Sequence, residues 1–165
     1  MSPQLRRLLL VAVSMTAAAC HGLSEQERES IDLWLTCQEC DGGQLDSIVA
    51  LAGRKPLATR DTIIEDLLRG PSQARRDHLG AQLDSSFSEL ASSQGPLPID
   101  RAIYAQHYLA NFVASYRLRA SIALATIGIG DSVALGALDS AAADPELRAD
   151  ARAVVIFARD SIWEP

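Results

Sequence analysis

The chain has 165 residues and a formal net charge of -6, with 21 acidic residues against 15 basic. Hydrophobic residues make up 48% and aromatics only 5%, which allows one domain whose core is built from Ala, Leu, Ile and Val. The acidic balance disfavours nucleic acid or an anionic bilayer as partner, because both require a basic face.

The first segment, MSPQLRRLLLVAVSMTAAAC, has Arg6 and Arg7, an apolar run from Leu8 to Val13, and small residues up to Cys20. That three-part layout is a secretory signal over residues 1–19, and its apolar run is shorter than the about 20 residues of a permanent span. Ala17, Ala18 and Ala19 before Cys20 resemble a bacterial lipobox, with Ala17 where that pattern usually has Leu. The resemblance implies cleavage before Cys20, lipid on its sulfur, and residues 20–25 as a tether to the membrane, facing the periplasm or cell exterior. An ordinary A-x-A cleavage followed by a chance cysteine is the alternative. The twin arginines suit folded export and the ordinary route alike. Loss of Arg6 and Arg7 takes the formal charge from -6 to -8 and leaves 146 residues, with 26–165 as a single domain.

Ser24 followed three residues later by Glu27 predicts a capping box. A helix of about four turns follows, with Ile31, Trp34 and Leu35 apolar, ending near Asp41 at Gly42 and Gly43. Leu45, Ile48, Val49 and Ala52 predict a second helix stopped by Gly53; Leu57, Ile63, Ile64, Leu67 and Leu68 predict a third, stopped at Gly70-Pro71. Between Ser72 and Ser93, Leu79, Leu83, Phe87 and Leu90 mark an amphipathic helix with a break at Asp84–Ser86, and SSQGPLP reads as a loop. The longest helical signal runs from Asp100 to Ile127, with an apolar stripe through Leu109, Phe112, Val113, Tyr116, Ala120, Ala123, Leu124 and Ile127. Gly128 and Gly130 end it, Asp131 caps a further helix, and Asp144-Pro145 opens the last. No stretch alternates with period two, so the fold class is all-α with about seven helices.

Two segments align at an offset of 29: LRASIALATI from Leu118 and LRADARAVVI from Leu147. Asp144-Pro145-Glu146-Leu147-Arg148, followed by small residues and an apolar turn, resembles the opening of the short HEAT-like repeats of bacterial proteins, the type also found in phycobilisome lyases. LDSIVALAGRKPLATRDTIIEDLL resembles a helix-turn-helix passage of the same family less closely, and Ser72–Ala114 departs from it. The resemblance covers about half of the chain. It implies a short α-solenoid of stacked hairpins used for protein contacts, without catalysis or cofactor. A plain helical bundle with similar Ala-rich helices is the alternative.

Cys37 and Cys40, three apart, admit three chemistries. A redox pair needs a helix N-terminus to lower the thiol pKa, whereas the expected position is a helix C-terminus beside Glu39 and Asp41. A haem attachment would need His where Asp41 stands. Zinc needs two more ligands, and His78 and His107 lack a joining spacing; no metal site is expected. An exported compartment favours a structural disulfide, whose short loop contributes about 1 to 2 kcal/mol.

Tyr104, His107, Tyr108 and Asn111 share one helical face. They form either a contact patch for an unidentified protein partner or an interhelical seam whose polar tips are satisfied internally. Ser132 in GIGDS has no lysine for a phosphate loop, and no G-x-S-x-G elbow occurs. The expectation is therefore a non-catalytic binding or scaffolding protein of the cell envelope. A thiol-disulfide protein using Cys37 and Cys40 is the alternative, and an accessory subunit of another enzyme is a variant of the first.

Overall fold

The computed structural model describes residues 22–37 and 40–163. The segment 1–19 expected to be a signal, and Cys20, lie outside the described residues. Among the described residues there are seven α-helices and no strand: α1 Glu25–Thr36, α2 Gly42–Arg54, α3 Pro56–Arg69, α4 Gln73–Gln94, α5 Arg101–Ile127, α6 Ser132–Ala143 and α7 Ala149–Trp163. None of these helices is long and apolar enough to cross a membrane.

Most helix starts follow from short polar side chains. Ser24 and Glu27 close the expected capping box, Glu27 N donating to Ser24 Oγ at 3.3 Å and Ser24 N to Glu27 Oε2 at 2.8 Å. Lys55 then bonds Glu27 at 2.7 Å and the Gly22 carbonyl at 3.2 Å, tying the N-terminal approach to the body. Ser72, Asp100 and Asp131 cap α4, α5 and α6. Gly70 ends α3 at φ 69°, a conformation that glycine adopts without steric cost.

Four boundaries differ from expectation. Helix α1 ends at Thr36, and Gly42-Gly43 do not stop it; they begin α2, because Asp41 accepts from Gly43 N at 2.9 Å and Gln44 completes a second capping box. Gly53 lies inside α2, and the break falls at Lys55, where Pro56 becomes the first residue of α3. Helix α4 is unbroken through Asp84–Ser86: the Ser88 and Ser92 hydroxyls fold back onto Asp84 and Ser88 carbonyls at 2.8 and 2.7 Å, which leaves the backbone ladder intact. Pro145 starts no helix. Asp144 holds it in a turn by accepting from Glu146 N at 2.9 Å, and α7 begins at Ala149.

Interhelix contacts sort six helices into two layers. Helix α5 lies between α1 and α7, helix α3 between α2 and α6, and the layers meet through α1 on α2, α5 on α3 and α7 on α6. Three helix pairs side by side are compatible with a short solenoid of hairpins, with α4 inserted into the middle pair. The core is aliphatic and small: Ile31, Leu35, Ile48, Ile63, Leu67, Ala120, Leu124, Leu138 and Val155 are inaccessible to solvent or nearly so. Buried residues of α5 recur 31 residues later in α7 and the turn before it: Tyr116 and Leu147, Ala120 and Ala151, Leu124 and Val155. The sequence match at 29 differs by two residues from this spacing of buried positions. Gly128 sits where α5 turns into α6, and a Cβ there would lie 2.6 Å from the Leu124 carbonyl oxygen and 2.8 Å from the Ala134 Cβ.

Helix α4 stands outside the layers and packs broadly on α5 alone. Its only buried residue is Leu83, and no residue of α5 from Arg101 to Ser115 is fully buried. At 1.5 Å per residue, α4 and the first half of α5 form an arm that leaves the two-layered body. Ions hold its root: Arg75 donates twice to Asp32 of α1, at 3.2 and 2.7 Å, and its guanidinium carbon lies 5.8 Å from the Tyr116 ring centroid.

Candidate functional site

The four residues Tyr104, His107, Tyr108 and Asn111 come together on the arm. The Tyr104 ring meets Phe87 of α4 edge-on at 5.3 Å and tilts against Tyr108 at 4.6 Å. His107 stands perpendicular to Tyr108 at 5.8 Å, and its Nε2 is 3.0 Å from Asn111 Nδ2. Asn111 Oδ1 also accepts from Arg148, which reaches over from the α6–α7 turn. Tyr104 is thus half-buried in the seam with α4. His107 and Tyr108 face solvent, Tyr108 at 47% exposure.

The root of the arm opens into a cleft of about 570 Å³ between the end of α1, the first half of α4 and the middle of α5. Cys37 lines one wall, Arg75, His78 and Leu83 another, and Tyr108, Phe112 and Arg119 the third. The cleft therefore joins two features that are distant in sequence, the cysteine pair and the tyrosine face. Trp34 fixes the α1 wall, its indole N–H donating to the Arg119 carbonyl at 3.0 Å.

Cys37 and Cys40 lie at disulfide-bonding distance, with Cα atoms 5.5 Å apart. Cys37 is the C-cap of α1, as expected. Cys40 is exposed and directly precedes Asp41, the N-cap of α2, so one member of the pair sits at a helix N-terminus. His78 lies in the cleft and His107 on the arm. Among the described residues no three of His, Cys, Asp and Glu gather as a metal-binding group would.

A buried ionic network that the periodicity did not reveal lines a second opening, shared by Arg28, Asp32, Asp66, Arg75 and Tyr116. Asp66 is 4% exposed, and its Oδ1 accepts from the Tyr116 hydroxyl and from Arg28, each at 2.8 Å, while Oδ2 has no hydrogen-bond partner. Burial pushes its carboxyl above the usual range, outweighing Arg28 and Tyr116, which both pull it down. Burial and the neighbouring Asp66 push the Tyr116 phenol well up. The available signal was position: Asp66 follows Ile63 by three and precedes Leu67 by one, so it occupies the stripe that α3 buries. Arg117 is buried as well, donating to the Leu67 carbonyl at 2.8 Å and to Asp144 at 2.7 Å. Comparison with known protein families, characterised proteins and solved structures gives no match for this chain.

Proposed function

We propose that the protein is an exported, lipid-anchored module of HEAT-like type that binds a protein partner at the bacterial cell envelope and carries out no chemistry of its own. The supporting observation is the arm. It spends most of α4 and half of α5 on little burial, and it carries an aromatic face with His107 and Tyr108 open to solvent. Amphipathic aromatic rings are favoured at protein interfaces, and a helix-borne face loses little conformational freedom on binding. The envelope placement rests on the signal pattern and Cys20. The HEAT-like assignment rests on the Asp144–Arg148 pattern, with which the layered helix pairs are compatible.

Crosslinked capture from the native envelope tests the partner. A His107→Ala, Tyr108→Ala double variant is expected to keep the wild-type melting temperature and lose the captured band; an unchanged band would remove the face from the proposal. Cys20→Ser should move the protein from the membrane fraction to the soluble one. Unaltered retention would defeat the anchor.

One observation favours a second reading, a thiol-disulfide protein. Cys40 is exposed just before the N-cap of α2, the kind of helix-start position that reactive cysteine pairs use, and Cys37 borders the cleft. A strongly reducing potential together with no turnover of a disulfide substrate would retire it.

A further inference from the structure

The described lining of the cleft at the root of the arm differs in charge from the chain as a whole. The chain carries a net charge of -6, yet the ionisable groups on the described lining are Arg75, His78 and Arg119, with no carboxylate among them. Arg75 is committed to Asp32 through two hydrogen bonds. Arg119 is not committed in this way. Among the described residues its one side-chain hydrogen bond goes from Nη1 to the Leu35 carbonyl at 3.4 Å, and no acidic side chain there pairs with it.

A guanidinium has five N–H donors in a rigid fork, so most of those on Arg119 have no acceptor among the described residues. Withdrawing such a cation from water without an opposing charge is unfavourable, and burial duly pushes the Arg119 pKa down. Leu79, Leu83 and Phe112 supply an apolar wall to the same cleft. A volume of about 570 Å³ falls in the range of small-molecule sites.

We propose that this cleft binds a small amphipathic anion, its acidic group on Arg119 and its apolar body against Leu79, Leu83 and Phe112. The site goes beyond the partner-binding reading: it lies at the root of the arm, and its occupant is a small molecule. Tyr108 belongs to both surfaces, so a bound anion would sit beside the partner face.

Anilinonaphthalene sulfonate, an aromatic body with one anionic group, is the probe, and phenylnaphthylamine is its uncharged counterpart. Fluorescence titration of the intact protein should give one saturable site for the sulfonate and at least about tenfold weaker binding of the neutral compound. Arg119→Gln should weaken the sulfonate about tenfold or more, and Arg119→Lys should restore part of the loss. Gln82→Glu places a carboxylate on an exposed lining residue with little demand on folding, and it too should weaken the sulfonate while sparing the neutral compound. Equal affinity for the two probes, non-saturable binding, or sulfonate affinity unchanged in either Arg119→Gln or Gln82→Glu would overturn the proposal.

Discussion

The body and the arm are both helical, yet they use their apolar residues differently. In the body, Ala120, Leu124, Ala134, Leu138, Ala141 and Val155 interlock with no exposure, and small side chains let α5, α6 and α7 approach closely. In the arm, Leu79, Phe87 and Leu90 are only half-buried, and Tyr108 is open. Burial stabilises by roughly 25 cal/mol per Å² of apolar surface, so the body supplies most of the stability. The arm keeps its shape through the caps at Ser72 and Asp100, the Arg101–Asp84 ion pair at 2.8 Å, and the bond of Arg75 to Asp32 at its root. One region closes its apolar residues in a core and the other leaves them part-exposed.

The sharpest test of this contrast is a pair of truncations. Leu124→Ala should cost about 2 to 5 kcal/mol, as expected where a closed core cannot collapse, and Leu83→Ala should cost clearly less because the cleft already opens beside it. Urea unfolding of both variants measures the difference; equal losses would break the distinction between body and arm. Gly128→Ala should follow at about 1 to 3 kcal/mol, since the added methyl meets the Leu124 carbonyl and Ala134 and forces overpacking. A melting temperature within error of wild type would show that the α5–α6 corner yields.

Tyr116→Phe acts where the two regions join and should cost about 1 to 2 kcal/mol at neutral pH, because Asp66 loses its hydroxyl donor. The pH dependence has a definite sign. Asp66 has a folded pKa raised above its ordinary 3.8, so its protonated form is favoured by folding. That contribution is fully present below pH 3.8 and is lost as pH rises through the folded value. The hydroxyl helps the ionised carboxylate, so its removal raises the folded value further. Unfolding measured across acidic pH should therefore show the deficit of the variant shrinking as pH falls. A deficit that stays constant would mean that Tyr116 contributes packing alone.

Helix class and most helix starts were legible because they rest on local chemistry. Ser24 with Glu27, Ser72, Asp100 and Asp131 each satisfy backbone amides within three residues of themselves. The glycines were read less well. Gly42, Gly43 and Gly53 lie within α2, because Asp41 caps its start and Lys55-Pro56 sets its end. Apolar neighbours were ambiguous for a similar reason: Leu67 is inaccessible while Leu68 is 42% exposed, and Ile48 is inaccessible while Val49 is 44% exposed. A stripe of adjacent apolar residues spans an arc of the helix, and only the partner helix decides which part of the arc is covered.

The candidate site was legible as pieces. Tyr104, His107, Tyr108 and Asn111 share a face by spacing alone, and the cysteines announce themselves. That Cys37, Tyr108 and Arg119 border one cleft and that Asp66 is buried against Tyr116 could not be read from spacing.

By itself, then, the sequence determined an all-helical chain with its capped starts, and it marked the tyrosine face. Periodicity and capping act within one or two turns, so they are written in adjacent residues. The tertiary structure decided that half of α5 leaves the core, that Cys40 stands at a helix start, and that Arg75, His78 and Arg119 line one cleft in an acidic protein. Those outcomes depend on partners far apart along the chain, 50 residues for Tyr116 and Asp66 and 85 for Trp34 and Arg119, and such pairings exist only once the layers have packed.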